Sequence, residues 1–185
     1  MSNIFYPGTE QLTKTKLIFP LSIETVKRHL RLAPEFDDDD DYLTSIIESA
    51  VTMAENFINK DIAYTKNTLR IEDFDDDFIK VYDGNFLSFE SAKDQNNSSV
   101  GTVYLTTAKF DYFTIEWTTP IKGDPLTIVY YTGFADGTTP EILKQACLIQ
   151  VANFYDNERS SYNWGGMKNN DAFERILSSY QAKLC

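Results

Sequence analysis

The stripe Leu43, Ile46, Ile47, Ala50, Val51, Ala54, Phe57 and Ile58 constrains this chain more than any other feature. Its steps of three, four and one set all eight side chains on one side of a 3.6-residue helix, and that side must be covered by other apolar surface. A second stripe supplies cover. Ile142, Leu143, Ala146, Cys147, Ile149, Val151, Phe154 and Tyr155 span a wider arc, so this helix is expected to be central and to meet protein on more than one surface. Thr139 as N-cap and Pro140 at the first helical position open it, and it runs to about Asn157. A shorter helix starts at the cap Ser22, carries Ile23, Val26 and Leu30, and ends near Leu32 because Pro34 discourages continuation. Phe173, Ile176, Leu177, Tyr180 and Leu184 stripe the last one.

Between the two helical pairs, from about residue 65 to 131, short runs rich in Thr, Val, Ile, Tyr and Phe alternate with turn signals such as Asp83-Gly84, Asn96-Asn97 and Gly123-Asp124-Pro125. Strands are expected at Thr68 to Ile71, Phe78 to Tyr82, Phe86 to Glu90, Val100 to Leu105, Phe110 to Trp117 and Leu126 to Tyr131. The fold class is therefore α+β: a helical bundle made by the N- and C-terminal helices, with an antiparallel β-rich block inserted. One domain accounts for all 185 residues, and 42% apolar content is enough for a packed core. Residues 1 to 20, with Pro7, Gly8, Pro20 and no sustained period, read as an extended arm that orders against a neighbour and carries Phe5 and Tyr6 for docking.

The chemistry-bearing residues are sparse. A net charge of −11 repels phosphate and anionic lipid, and no apolar run approaches a membrane span. The lone His29 cannot form a relay or a histidine-rich metal site, and no G-x-S-x-G elbow or phosphate-cradling glycine loop is present. Cys147 and Cys185 lack the C-x-x-C spacing of redox or zinc sites, so no catalytic residue, cofactor or metal is assigned, and a reducing cytosolic site of synthesis is expected. The run Asp37 to Asp41 fails the EF-hand pattern, whose sixth-position glycine would fall on Tyr42. Capping of the following helix by one acid, with solvation of the others, is the leading reading; a basic partner or a metal are alternatives. Tyr162, Trp164 and Met167, beside Gly165-Gly166, are candidate interface residues, because such side chains are enriched where proteins meet. A β-rich surface or secreted binding module, with Trp117 and Trp164 stacking on sugar rings, is the alternative reading.

The segment Tyr130-Tyr131-Thr132-Gly133-Phe134-Ala135-Asp136, then Thr139-Pro140-Glu141-Ile142-Leu143-Lys144-Gln145-Ala146, then Tyr155-Asp156-Asn157-Glu158-Arg159, resembles the head-tail connector, or adaptor, family of tailed bacteriophages. Ile23 to Leu32 and Asp40 to Ile58 are similar to that family's first two helices, and Arg175 to Tyr180 to its last, with Ser179 and Gln181 where the family has proline and arginine. The resemblance implies a non-enzymatic virion protein at the neck, made in the host cytoplasm. It would form a ring of twelve copies below the portal protein, contact tail or stopper proteins beneath, and let DNA pass without specific binding. Phe173, Leu177 and Tyr180 join the candidate interface on this basis, at the end that would dock on the portal or a neighbouring subunit.

Overall fold

The computed structural model describes residues 4–5, 10–82, 85–100, 103–108, 112–123, 125–159 and 171–181. In chain order the elements are β1 (Ile4–Phe5), β2 (Glu10–Ile18), α1 (Ile23–Leu30), α2 (Asp40–Ile58), β3 (Tyr64–Ile71), β4 (Phe74–Val81), β5 (Phe86–Lys93), β6 (Val103–Ala108), β7 (Phe113–Gly123), β8 (Leu126–Thr132), α3 (Glu141–Arg159) and α4 (Asp171–Ser178). The strands form two four-stranded antiparallel sheets, β1-β4-β7-β6 and β2-β3-β8-β5. The α+β class stands, with helices on either side of the β block in sequence.

Two cores result. Every residue of the α2 stripe lies inside the helical core or packs on it, joined by Leu143, Ala146, Cys147, Leu148 and Val151 of α3 and by Phe173 and Leu177 of α4. Burying one such Leu or Ile contributes about 1.5–3 kcal/mol. As its wide arc required, α3 is central, packing against α1, α2 and α4. The second core fills the space between the sheets. Alternation on β8 turns Leu126, Ile128 and Tyr130 inward. From the facing sheet, Phe113 meets Tyr130 edge-on, with ring centroids 5.1 Å apart. Trp117 is buried in this core edge-on to Phe74, so it has no face to offer a sugar ring.

Local signals explain most boundaries. Ser22 Oγ accepts from the Thr25 amide, as an N-cap should. Arg31 closes α1 in the left-handed region, where the Leu32 amide reaches the Lys27 carbonyl at 2.9 Å. α3 begins at Glu141, one residue later than expected. Pro140 instead offers its carbonyl to the Leu143 and Lys144 amides, while Thr139 is buried before it.

Three expectations need correction. Residues 10–18 do not wait for a neighbour: they form β2, paired along its length with β3 of the same chain. The strand was obscured because Lys14 and Lys16 stand where an apolar alternation would put hydrophobic residues. Asp39, the residue before α2, makes no side-chain cap; its carboxylate accepts from Tyr155 Oη at 3.0 Å, tying α2 to α3. Asp40 pairs with Lys27 of α1 at 2.6 Å. The acid run therefore links α2 to the other helices as well as complementing its N-terminal dipole.

Candidate functional site

A polar clasp holds the bundle and the sheets in one relation where they meet. α2 ends at Asn59, in the left-handed region, and residues 60–63 lead directly into β3. Glu55, buried near the end of α2, reaches over this link. Its Oε1 accepts from the Ile62 and Ala63 amides at 2.8 and 2.9 Å, and its Oε2 pairs with Lys16 of β2 at 2.7 Å. Asp61 receives Lys14 at 3.0 Å and the Thr132 hydroxyl at 2.5 Å. Thr132 in turn accepts from Asn67 Nδ2 at 2.7 Å. Two edge-strand lysines, the helix and the last strand are thus joined through two buried carboxylates. Such a network is stiff because the two buried carboxylates are held from several elements at once, while the lysines keep part of their contact with water.

The turn after β8 completes the clasp. The Gly133 amide donates to the Asn85 carbonyl and the Phe134 amide to the Ile62 carbonyl, at 3.0 and 3.2 Å, while Asn85 Nδ2 donates to the Asp61 carbonyl. Gly133 has φ +88°, and a Cβ there would stand 2.0 Å from the Ala63 carbonyl oxygen. Only glycine allows this approach. Beyond the turn, a cleft of about 560 Å³ separates residues 18–22 from the start of α3, with Phe19 and Phe134 at its sides.

On the outer surfaces two aromatic clusters stand out. Tyr64 and Tyr131 stack at 5.2 Å, and Tyr131 donates to Glu90, which also pairs with Lys66 at 2.9 Å. The Tyr131 and Lys66 bonds hold the Glu90 carboxyl below its usual range, and the same carboxylate raises both partners. On the other sheet Lys80 lies 3.9 Å from the Tyr112 ring centroid and 4.8 Å from that of Tyr82, whose hydrogen bond raises the lysine.

Of the sequence-predicted interface residues, Phe173 and Leu177 are buried in the bundle and Tyr180 is partly buried against it. Phe57 meets Phe173 edge-on at 6.3 Å. These residues anchor α4, leaving Ala172, Arg175 and Ser178 exposed. Phe5 is in β1, paired with Lys80; its side chain, and all of Tyr6, Tyr162, Trp164 and Met167, lie outside the described residues. The clasp residues Glu55, Asp61, Lys14, Lys16 and Thr132 were not singled out from sequence. Their one visible signal is Gly133 directly after a strand.

Among the described residues no group of three or more His, Cys, Asp or Glu is placed to hold a metal ion, and no helix is long and apolar enough to cross a membrane. Cys147 lies in the bundle core; burial, with the nearby Glu55 charge second, pushes its thiol up to about 12. A Cys185→Ser protein should therefore show no reaction with a thiol reagent at pH 8 until denaturant opens the bundle. Rapid native-state labelling would contradict the packing of α3.

No curated protein sequence matches this chain. Solved structures do, across nearly its whole length. A chain from the neck of an empty GTA particle, computed with C6 symmetry, is 16% identical with TM-score 0.76, covering 95% of this chain and 97% of that one. A chain from the virion of a native gene transfer agent particle is 15% identical with TM-score 0.70, covering 94% and 96%. One from the neck of a native GTA particle, computed with C12 symmetry, is 11% identical with TM-score 0.64, covering 94% and 97%. At these identities the likeness is one of fold. The family described as Phage gp6-like head-tail connector protein matches residues 20–145, from just before α1 into α3, and so takes in Glu55, Asp61 and Thr132 of the clasp but not Lys14 and Lys16. By that match, over more than half its length, the chain belongs to the phage gp6-like head-tail connector family.

Proposed function

We propose that this protein is a structural subunit of the neck of a virion-like particle, assembling into a ring below the portal and joining head to tail. The family match carries this reading, and the likeness of fold to chains from particle necks supports it along almost the entire chain. In this role the subunit works as a rigid wedge. The bundle and the sandwich are fixed to each other by the Glu55 and Asp61 clasp, so load passes from one layer to the next without a hinge. Identical wedges meet through heterologous contacts, which close into a ring when the rotation allows; twelve copies is the expected number. The portal lies above, tail or stopper proteins below, and DNA passes through the centre. A subunit of net charge −11 favours passage over binding, because phosphates are repelled from the wall.

Purified full-length protein should co-sediment with its portal ring, in a complex whose mass corresponds to one ring of subunits per portal. A chain that stays monomeric and sediments apart from the portal would overturn the reading. Removing α4 before Phe173 should weaken this complex, since α4 helps to shape the end of the bundle through Phe173 and Leu177; unchanged co-sedimentation would remove that end from the contact.

A further inference from the structure

In a strongly acidic chain the cationic side chains at the end of α1 are unusually dense: Lys27, Arg28 and Arg31 fall within five residues. They do not make a uniform surface. Lys27, Arg28 and Arg31 line, together with one acid, Glu24, a groove whose apolar lining is Ile23, Leu32 and Pro34, about 500 Å³ in volume. Lys27 is buried and already held by Asp40, and Arg28 pairs with Glu24 at a fully solvated site where such a bond contributes little. Arg31 is exposed, and it occupies a left-handed position with φ 59° that glycine would take at lower cost. Three cations against the one acid Glu24 leave the groove net positive, with Arg31 outside both of these ion pairs, and a net positive groove with apolar lining fits an apolar side chain flanked by acids.

The chain itself displays such a group. In β4 the register shifts between Asp76 and Phe78, a bulge that re-aims the strand's side chains. Asp76 Oδ1 accepts from the Asp77 amide at 2.8 Å, which pins the bulge. Phe78 stands 47% exposed beside it, among the most exposed large hydrophobic residues of the described chain, with Asp77 also exposed. Groove and bulge belong to different layers, the groove to the bundle and the bulge to the sandwich. Two different surfaces that meet between copies make a head-to-tail contact, which closes into a ring when the rotation allows.

We propose that the α1 groove receives the Asp76-Asp77-Phe78 bulge of a second copy, with Phe78 on the Ile23, Leu32 and Pro34 lining and the two aspartates against Arg28 and Arg31. This rests on the ring reading above and names the contact that closes it. Like charges brought face to face across such a contact repel, so reversing one side raises the concentration at which copies assemble.

The test uses full-length protein under the conditions in which the wild type assembles, alone or on the portal ring, with assembled fraction read by sedimentation velocity. Arg28→Glu with Arg31→Glu, and separately Asp76→Arg with Asp77→Arg, should each raise the concentration needed for assembly about tenfold or more; the four changes together should restore it. Phe78→Ser should weaken assembly without charge change. All five positions are at or near the surface, and unchanged circular dichroism and melting temperature verify folding. Normal assembly of either reversed pair, or a fourfold swap that fails to rescue, overturns the proposal. A groove variant that assembles normally but loses the portal ring assigns the groove to the portal and also overturns it. A wild type that never assembles, alone or with the portal, fails the ring reading itself, and the contact falls with it.

Discussion

Alanine in place of Gly133 is expected to destabilise the protein by about 3–5 kcal/mol, against total stabilities of about 5–15 kcal/mol for ordinary domains. Two effects add. A residue with a Cβ at φ +88° is strained by about 1–3 kcal/mol. The new Cβ also falls 2.0 Å from the Ala63 carbonyl, and because the obstacle is backbone it cannot be rotated away. Relief requires the turn to move, which breaks or stretches the bonds from Gly133 to Asn85 and from Phe134 to Ile62, each contributing about 0.5–1.5 kcal/mol. The control is Gly137, also at positive φ (+72°) but with open space around it; alanine there should cost only about 1 kcal/mol. Thermal melts compare the two directly, with a fall of about 10 °C or more expected for Gly133→Ala. Equal effects at both sites would mean that the close approach to Ala63 does not constrain the turn.

Glu55→Ala should be similarly severe, about 3–5 kcal/mol. It leaves the Ile62 and Ala63 amides buried without an acceptor and takes from Lys16 its carboxylate partner, leaving it the Thr52 hydroxyl at 2.7 Å. Lys16→Met separates the terms. It keeps both amide bonds, and because Lys16 is partly exposed it should cost less than about 1.5 kcal/mol. Glu55→Gln, which keeps the amide acceptor but turns a donor toward Lys16, should fall between. Urea denaturation gives the totals, and hydrogen exchange gives the location: in Glu55→Ala the Ile62 and Ala63 amides should lose protection ahead of the β3 core. Retained protection at those amides would show that the clasp is not what holds the link.

What could be read from sequence followed the physics of local order. The α2 stripe, the Ser22 cap and the Thr139-Pro140 start are signals contained within a few residues, and all three lie within a residue or so of where they were expected. Strands such as Leu126–Thr132 alternate cleanly because one face meets the sandwich core. β2 was hidden for the opposite reason. Its inward positions include Lys14 and Lys16, whose partners Asp61 and Glu55 lie about forty residues further along, and no local pattern announces a pairing of that span. The division of the strands into two sheets was hidden too, since it depends on which strands pair across long separations. Phe173 and Leu177 illustrate a further limit: an amphipathic stripe marks the residues that will be covered, and here the cover comes from the chain's own α2 and α3. The clasp carboxylates look like any other of the 28 acids until the fold brings the Ile62 and Ala63 amides to them.

A reconstruction of the neck from intact particles tests the neck-ring role most directly. The expected density is a closed ring of two-lobed subunits immediately below the portal, each lobe pair fitting the bundle and the sandwich in the relation fixed by Glu55 and Gly133. Particles whose necks lack this polypeptide, or hold it as a single isolated copy, would contradict it.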